Sequence, residues 1–113
     1  MPGALTAQNT QPSGLQYQVI TEGKGPKPFL NNTVEVRYRG TLMNGREFDS
    51  SPADGSTDKW ILSQSILGLK EALQMMPVGS HWKVVMPANL GFGDRGRDQD
   101  LGPNEVLIYD IEL

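Results

Sequence analysis

The chain has 113 residues, of which 37% are hydrophobic and 20% charged, so its apolar content suits the core of one compact domain. Its formal net charge of −3 argues against nucleic acid as the main ligand, because phosphate binding normally needs a net basic face. The absence of cysteine excludes disulfides, thiolate nucleophiles and cysteine-ligated metals. No apolar run approaches the roughly 20 residues of a membrane span.

The beginning of the chain differs in composition from the rest. Residues 1–13 carry no charged side chain and few large apolar ones, so we predict a flexible arm or linker over residues 1–14. This segment lacks the basic start and the long apolar stretch of a signal peptide. Residues 4–7 resemble the small-residue pattern of a cleavage site, although we favour a linker. A folded domain is predicted over residues 15–113.

Alternation of apolar and polar side chains predicts strands in four segments. The segments are residues 15–19, 33–42, 82–86 and 105–113. A two-residue hairpin signal at residues 44–45 follows the second segment, and the chain is expected to return along residues 47–49. Residues 50–59 are polar and include a proline and a glycine, which predicts a loop.

The one convincing helix lies within residues 66–76. Apolar residues recur there at helical spacing, namely Ile66, Leu69, Ala72 or Leu73, and Met76. Ser65 is a plausible cap, and Pro77 prevents the helix from continuing. Residues 89–103 are predicted to form a long glycine-rich loop. The predicted fold class is therefore α+β, with a strongly twisted antiparallel sheet wrapped around one short helix.

Polar residues outside this framework give weak functional signals. Residues 95–97, Arg-Gly-Arg, could form a phosphate-binding nest, but the neighbouring aspartates favour a solvated loop. These aspartates are Asp94, Asp98 and Asp100. Their spacing lacks the glycine and the closing glutamate of an EF-hand, so no metal site is predicted. His81, the only histidine, is predicted to lie at a strand edge without a catalytic role.

Two aromatic positions are ambiguous when each is considered alone. Phe48-Asp49 follows a predicted hairpin and could be a core phenylalanine beside a turn-capping aspartate. Phe92 lies between two glycines in the long loop and could be a packing residue.

Considered together, these stretches resemble one family. Residues 34–51 follow the FKBP pattern V-x-V-x-Y-x-G-x-L-x-x-G-x-x-F-D-S-S. Residues 66–75 are similar to its I-x-G-W-x-E-A-L-x-x, residues 87–93 to its P-x-x-L-A-Y-G, and residues 102–113 to its closing strand. The similarity covers about residues 15–113 and is greatest to bacterial members that resemble macrophage infectivity potentiators. The resemblance implies a peptidyl-prolyl cis/trans isomerase, a rotamase that assists protein folding.

The resemblance also implies an apolar pocket for proline-containing peptide. It assigns catalysis to Tyr38, Phe48, Asp49, Phe92 and Tyr109. It assigns substrate binding to Trp60, Ser65, Ile66, Leu69 and Leu101. Ile66 matches the residue whose backbone N–H meets a ligand carbonyl, and Trp60 replaces a phenylalanine of the pocket wall. No metal and no cofactor are implied.

Three further pocket positions depart from the family pattern. Leu69 replaces a tryptophan at the pocket floor, Ser65 replaces a valine, and Phe92 lacks the hydroxyl of the usual tyrosine. We therefore expect rapamycin-type macrolides to bind more weakly than to a pocket with the usual floor. The same departures keep open an alternative function, an FKBP-fold binding or chaperone module with little isomerase turnover.

The expected partners are proline-containing peptides and unfolded protein clients, with no nucleic acid and no membrane span. The domain itself is expected to be monomeric. Many of the bacterial members it resembles are envelope proteins with a dimerisation region before the isomerase domain. A periplasmic or envelope location is therefore expected, with the cytoplasm as the alternative, and the chain could be a fragment of a longer protein.

Overall fold

The computed structural model describes residues 8–97 and 101–113, and the alternating segments of the sequence form strands there. Over these residues the strands are β1 Gln8–Thr10, β2 Gln16–Thr21, β3 Thr33–Leu42, β4 Glu47–Ser50, β5 Asp58–Ile61, β6 His81–Met86 and β7 Leu107–Glu112. One α-helix, α1, spans Leu67–Met75 in the same part of the chain. No helix of the described ranges is long and apolar enough to cross a membrane.

The strands form one antiparallel sheet in the order β1-β2-β6-β7-β3-β4, with β5 added to the free part of β3. Strand β3 is the longest, with 10 residues, and it pairs with β4, β5 and β7. In its register with β7, Tyr38 lies opposite Ile111 and Gly40 lies opposite Tyr109. The two tyrosines are therefore diagonal neighbours on one face of the sheet.

The core lies between this face of the sheet and α1. Along β3 the burial alternates as predicted, with Val34, Val36, Tyr38, Gly40 and Leu42 buried. On the helix the buried residues are Gly68, Leu69, Ala72 and Leu73. The predicted α+β class, with an antiparallel sheet and one helix, is confirmed.

The helix lies within the predicted range, but the predicted serine cap is wrong. Ile66 occupies the N-cap position, and no side chain caps this end. A short 3-10 turn immediately precedes it, and the N–H of Ser65 donates to the Leu62 carbonyl 3.1 Å away to close that turn. Ser65 is thus part of the preceding turn, one residue too early to cap α1.

The beginning of the described chain also differs from the expected flexible arm. Strand β1 pairs with β2, with Gln8 opposite Gln18 and Asn9 opposite Tyr17. The turn between them is closed by the Gly14 N–H, which donates to the Gln11 carbonyl at 2.9 Å. Polar side chains give no periodic signal, yet backbone groups can extend a sheet regardless of side chain. Residues 1–7 of the expected arm lie outside the described ranges.

The predicted loop at residues 50–59 is wrong at its end, because β5 begins at Asp58. In the register with β3, Trp60 lies opposite Val34 and Asp58 opposite Val36. A strand of four residues is too short for alternation to reveal. Strand β5 matters for the site because it places Trp60 beside the side chains of β3.

Candidate functional site

A pocket of about 360 Å³ opens on the helix side of the sheet. It contains most of the side chains that the family resemblance singled out, namely Tyr38, Asp49, Trp60, Ser65, Ile66, Leu69, Phe92 and Tyr109. The sequence interpretation missed three further lining residues, Lys59, Ile61 and Gln64. These three lie on β5 and the 3-10 turn, in the segment where no strand or turn had been predicted.

Aromatic rings from three strands, β3, β5 and β7, form one wall of the site, and Phe48 of β4 packs behind it. The ring centroids of Tyr38 and Trp60 lie 4.6 Å apart, with the planes tilted by 54°. Tyr38 and Tyr109 are 6.2 Å apart, and Phe48 meets Tyr109 edge-on at 5.6 Å. Such tilted and edge-to-face contacts are the preferred arrangements of aromatic pairs. The wall is therefore packed against itself before any ligand arrives.

Two of the predicted site residues lie behind the pocket surface. Phe48 is only 7% exposed and contacts the aromatic wall through Tyr109. Leu101 is fully buried in the core cluster, and its carbonyl accepts the Arg97 N–H at 2.8 Å. Neither is among the lining residues. Their position suits a supporting role better than direct contact with a substrate.

The floor and one corner are formed by the start of α1 and the residues before it. Leu69 is 5% exposed and closes the floor. Ile66 lines the corner as the N-cap residue, and its carbonyl accepts the Lys70 N–H at 3.0 Å. The helix itself supplies no acceptor for the N–H of Ile66. This N–H is thus suited to meet a ligand carbonyl.

Asp49 is the acidic group of the pocket, and two other side chains fix its position. Its carboxylate accepts a hydrogen bond from the Tyr38 phenol. Its Oδ2 atom lies 3.4 Å from Nη1 of Arg97. Its Oδ1 atom accepts the backbone N–H of Ser50 at 2.9 Å. The carboxylate therefore has neutral and charged donors around it, as a partly desolvated acid requires.

The two pocket phenols are held in their neutral form. Burial raises the pKa of Tyr38 far above its ordinary value, and the charge and hydrogen bond of Asp49 raise it further. Burial, followed by the charge of Asp49, likewise raises the pKa of Tyr109. Arg97 opposes both shifts to a smaller extent. Near neutral pH both phenols are hydrogen-bond donors and neither serves as a base.

The prediction of a solvated loop around residues 95–97 is wrong for Arg97, whose guanidinium contacts Phe48. Its Nη2 donates to the Phe48 carbonyl at 3.0 Å, and its guanidinium lies 5.6 Å from the centroid of the Phe48 ring. Nothing in the sequence spacing indicates this contact. Arg37 and Arg39 of β3 lie on the opposite face of the strand, where Arg37 Nε donates to the Gly55 carbonyl and Arg39 pairs with Glu47, each at 2.7 Å.

The remaining candidates for acid–base or metal chemistry lie outside the pocket. His81 is the first residue of β6, and its Nε2 is 2.5 Å from Oδ1 of Asp110 on the outer face of the sheet. Among the described residues no cluster of histidine and carboxylate side chains could hold a metal ion. Asp98 and Asp100 lie outside the described ranges. The pocket can thus bind an apolar group and act on it through fixed dipoles.

The fold and pocket define a small domain with an aromatic site for a peptide-sized apolar group. A family model described as FKBP-type peptidyl-prolyl cis-trans isomerase matches residues 25–113. The chain belongs to this family, and the family predicted from the sequence is confirmed.

Curated relatives agree with this family. The Outer membrane protein MIP of Legionella longbeachae is 49% identical over 102 residues, which is 90% of this chain and 44% of the relative. The FKBP-type 22 kDa peptidyl-prolyl cis-trans isomerase of Escherichia coli is 40% identical over 105 residues, 93% of this chain and 51% of the relative. The chain thus spans about half the length of the curated relatives it matches.

Solved structures share the fold. FkpA from Escherichia coli superposes with a TM-score of 0.91 at 37% identity, over 98% of this chain and 52% of that one. A peptidyl-prolyl cis-trans isomerase from Pseudomonas syringae has a TM-score of 0.89 at 35% identity, over 98% of this chain and 81% of that one.

Proposed function

We propose that this domain is a peptidyl-prolyl cis/trans isomerase that accelerates rotation about X–Pro bonds in peptides and folding proteins. The observation that carries the proposal is the aromatic pocket around a hydrogen-bonded carboxylate, in a chain of the isomerase family. Homologues matched over nearly the whole chain are named isomerases of this type.

The reaction needs no covalent step. Rotation of an X–Pro amide has a barrier of roughly 18–20 kcal/mol because the amide resonance must be broken. Twisting localises the lone pair on nitrogen and makes the carbonyl less polar. An apolar pocket therefore stabilises the twisted state relative to the planar one. Lowering the barrier by about 5–8 kcal/mol accelerates the rotation by about four to six decades.

Different parts of the pocket are assigned to different parts of the substrate. We assign the proline ring to the space between Tyr38, Trp60, Tyr109 and the Leu69 floor. We assign the substrate carbonyl to the N–H of Ile66, at the corner where the helix supplies no acceptor. These assignments carry the family's roles onto matched positions, and the lining of the pocket supports them.

Asp49 is assigned an electrostatic role. Its carboxylate is held by Tyr38 and Arg97, so it can orient the pocket and interact with the changing dipole of the substrate carbonyl without moving a proton. Phe92, from the loop after β6, lines the opening and closes the site from the other side.

The proposed partners are proline-containing peptides and unfolded clients, with macrolides of the rapamycin class bound weakly. The smaller Leu69 floor removes apolar contact worth about 1–2 kcal/mol. The hydroxyl missing at Phe92 removes a hydrogen bond worth about 1 kcal/mol. We propose a monomeric domain that acts in the periplasm or cell envelope, which the name of the Legionella relative, an outer membrane protein, supports.

A second candidate is a binding or chaperone module with little turnover, and the Leu69 floor is the observation that favours it. Exchange measured on an Ala-X-Pro-Phe-type peptide with catalytic amounts of protein separates the two. The isomerase shortens the uncatalysed relaxation time of tens of seconds. If the protein binds the peptide but leaves this relaxation time unchanged, the binding module is the correct function and the isomerase is rejected.

A further inference from the structure

We propose that Arg97 is a positioning residue that fastens the loop after β6 to strand β4, so that Phe92 and Asp49 remain parts of one pocket. The inference rests on the proposed function, because it explains how that site is assembled. It adds a side chain that the family pattern did not single out and that does not itself line the pocket.

The contacts of Arg97 join two segments that are distant in sequence. On the β4 side, Nη2 donates to the Phe48 carbonyl at 3.0 Å and Nη1 lies 3.4 Å from Oδ2 of Asp49. On the loop side, the guanidinium lies 5.8 Å from the centroid of the Phe92 ring. The same group is 5.6 Å from the Phe48 ring. One planar cation thus contacts both halves of the pocket wall.

The relative strengths of these contacts indicate what Arg97 does. The ion pair is long, and the Asp49 side chain is 42% exposed, so the pair contributes little by itself. A charge-assisted hydrogen bond to a backbone carbonyl is shorter and directional. A planar guanidinium can stack against ring faces while its N–H groups donate in a fixed fork, and a lysine ammonium lacks this planar fork. The planar geometry of the Arg97 guanidinium therefore contributes more to holding the loop against β4 than its net charge does.

The local backbone makes the loop a unit that Arg97 can hold. The Gly96 N–H donates to the Phe92 carbonyl at 3.1 Å, and the Arg97 N–H donates to the Leu101 carbonyl at 2.8 Å. Gly96 has φ +72°, and a Cβ there would lie 2.6 Å from the carbonyl carbon of Gly102. The turn from Phe92 to Arg97 is therefore closed on itself, and fixing Arg97 also fixes Phe92.

The charge of Arg97 also affects the aromatic wall, as expected for a side chain that lies beside it. Its positive charge opposes the rise of the pKa of Tyr38 and of Tyr109, so it acts on both phenols of the wall. Arg95 provides a matched comparison, because it lies two residues away on the same loop, carries the same charge and does not line the pocket.

The test compares Arg97→Gln, Arg97→Lys and Arg95→Gln in the whole chain, with kcat and KM measured separately. We expect Arg97→Gln to lower kcat/KM by about tenfold and Arg97→Lys to restore only part of the loss, because lysine keeps the charge without the planar fork. Arg95→Gln should match the wild type. In a protein that already carries Asp49→Asn, Arg97→Gln should lower kcat/KM by a smaller factor. The effects of substituting two residues in contact with each other are not additive.

A second readout does not depend on turnover. Hydrogen exchange of the Gly93 and Gly96 amides should accelerate by about tenfold in Arg97→Gln and stay unchanged in Arg95→Gln. Should the wild type show no isomerase turnover, the proposed function fails while this comparison still tests the role of Arg97. Equal exchange and equal kcat/KM for Arg97→Gln and Arg95→Gln would overturn the inference. Full rescue by lysine would also overturn it, since net charge would then suffice.

Discussion

Gly40 lies directly against the ring of Phe48, so closely that a Cβ at this position would be 2.7 Å from the Phe48 Cζ atom. Gly40 is also opposite Tyr109 in the β3–β7 register and opposite Asp49 in the β3–β4 register. A glycine inside the longest strand thus makes room for the phenylalanine that supports the pocket wall. The cost of glycine in a strand is offset by this packing.

Gly40→Ala should therefore lower the free energy of unfolding by about 1–3 kcal/mol, because an added methyl group must displace a buried ring. The displaced ring also moves Tyr109, so kcat/KM should fall in the fraction that remains folded. Urea denaturation and the peptide exchange assay measure both effects. Gly102→Ala is the matched control, since a Cβ there meets nothing within 4 Å. A similar stability for both variants would contradict this role of Gly40.

Leu69→Trp should tighten the binding of rapamycin-class ligands by about tenfold, or about 1.4 kcal/mol. The larger side chain restores apolar contact at a floor position that is 5% exposed. Titration of both proteins with the macrolide gives the comparison. Leu67→Trp serves as control because Leu67 lies on the same helix but is 57% exposed. Unchanged or weaker affinity in Leu69→Trp would show that the floor is elsewhere.

The raised phenol pKa values predict how stability depends on alkaline pH. Since the pKa of Tyr109 is higher in the folded state, its contribution to stability is complete below the unfolded value of about 10 and is lost as pH rises toward the folded value. The free energy of unfolding should therefore fall above about pH 10, by up to about 1.4 kcal/mol per pH unit for each such phenol. The free energy of unfolding of Tyr109→Phe should fall less steeply over the same pH range. Equal alkaline slopes for both proteins would count against the buried neutral phenol.

Asp49→Val should reduce kcat/KM by one to two decades, or about 1.4–2.7 kcal/mol of transition-state stabilisation. The substitution removes the carboxylate that Tyr38 and Arg97 hold and puts an apolar side chain of similar size in its place. Steady-state exchange kinetics give the ratio, with Asp54→Val in the exposed loop before β5 as a control. Full activity of Asp49→Val would mean that its role has been assigned wrongly.

Much of the fold could be predicted because β3 alternates over 10 residues and buries every second one. Strands β1 and β5 could not, since one is polar and the other has four residues, and both are stabilised by backbone pairing. The pocket side chains were found through the family pattern, which fixes positions along β3 and β4. Arg97 was missed because its contact depends on how the loop closes in space, and residue spacing carries no signal of that.

The pH profile of kcat/KM for the wild-type chain tests the central claim most directly. If the domain catalyses X–Pro rotation by burying the bond beside a fixed carboxylate, exchange should be much faster than the uncatalysed reaction. Its kcat/KM should also stay flat from about pH 6 to pH 8, because no acid or base transfers a proton. A bell-shaped profile in this range would contradict that mechanism, and exchange no faster than in buffer alone would contradict the isomerase itself.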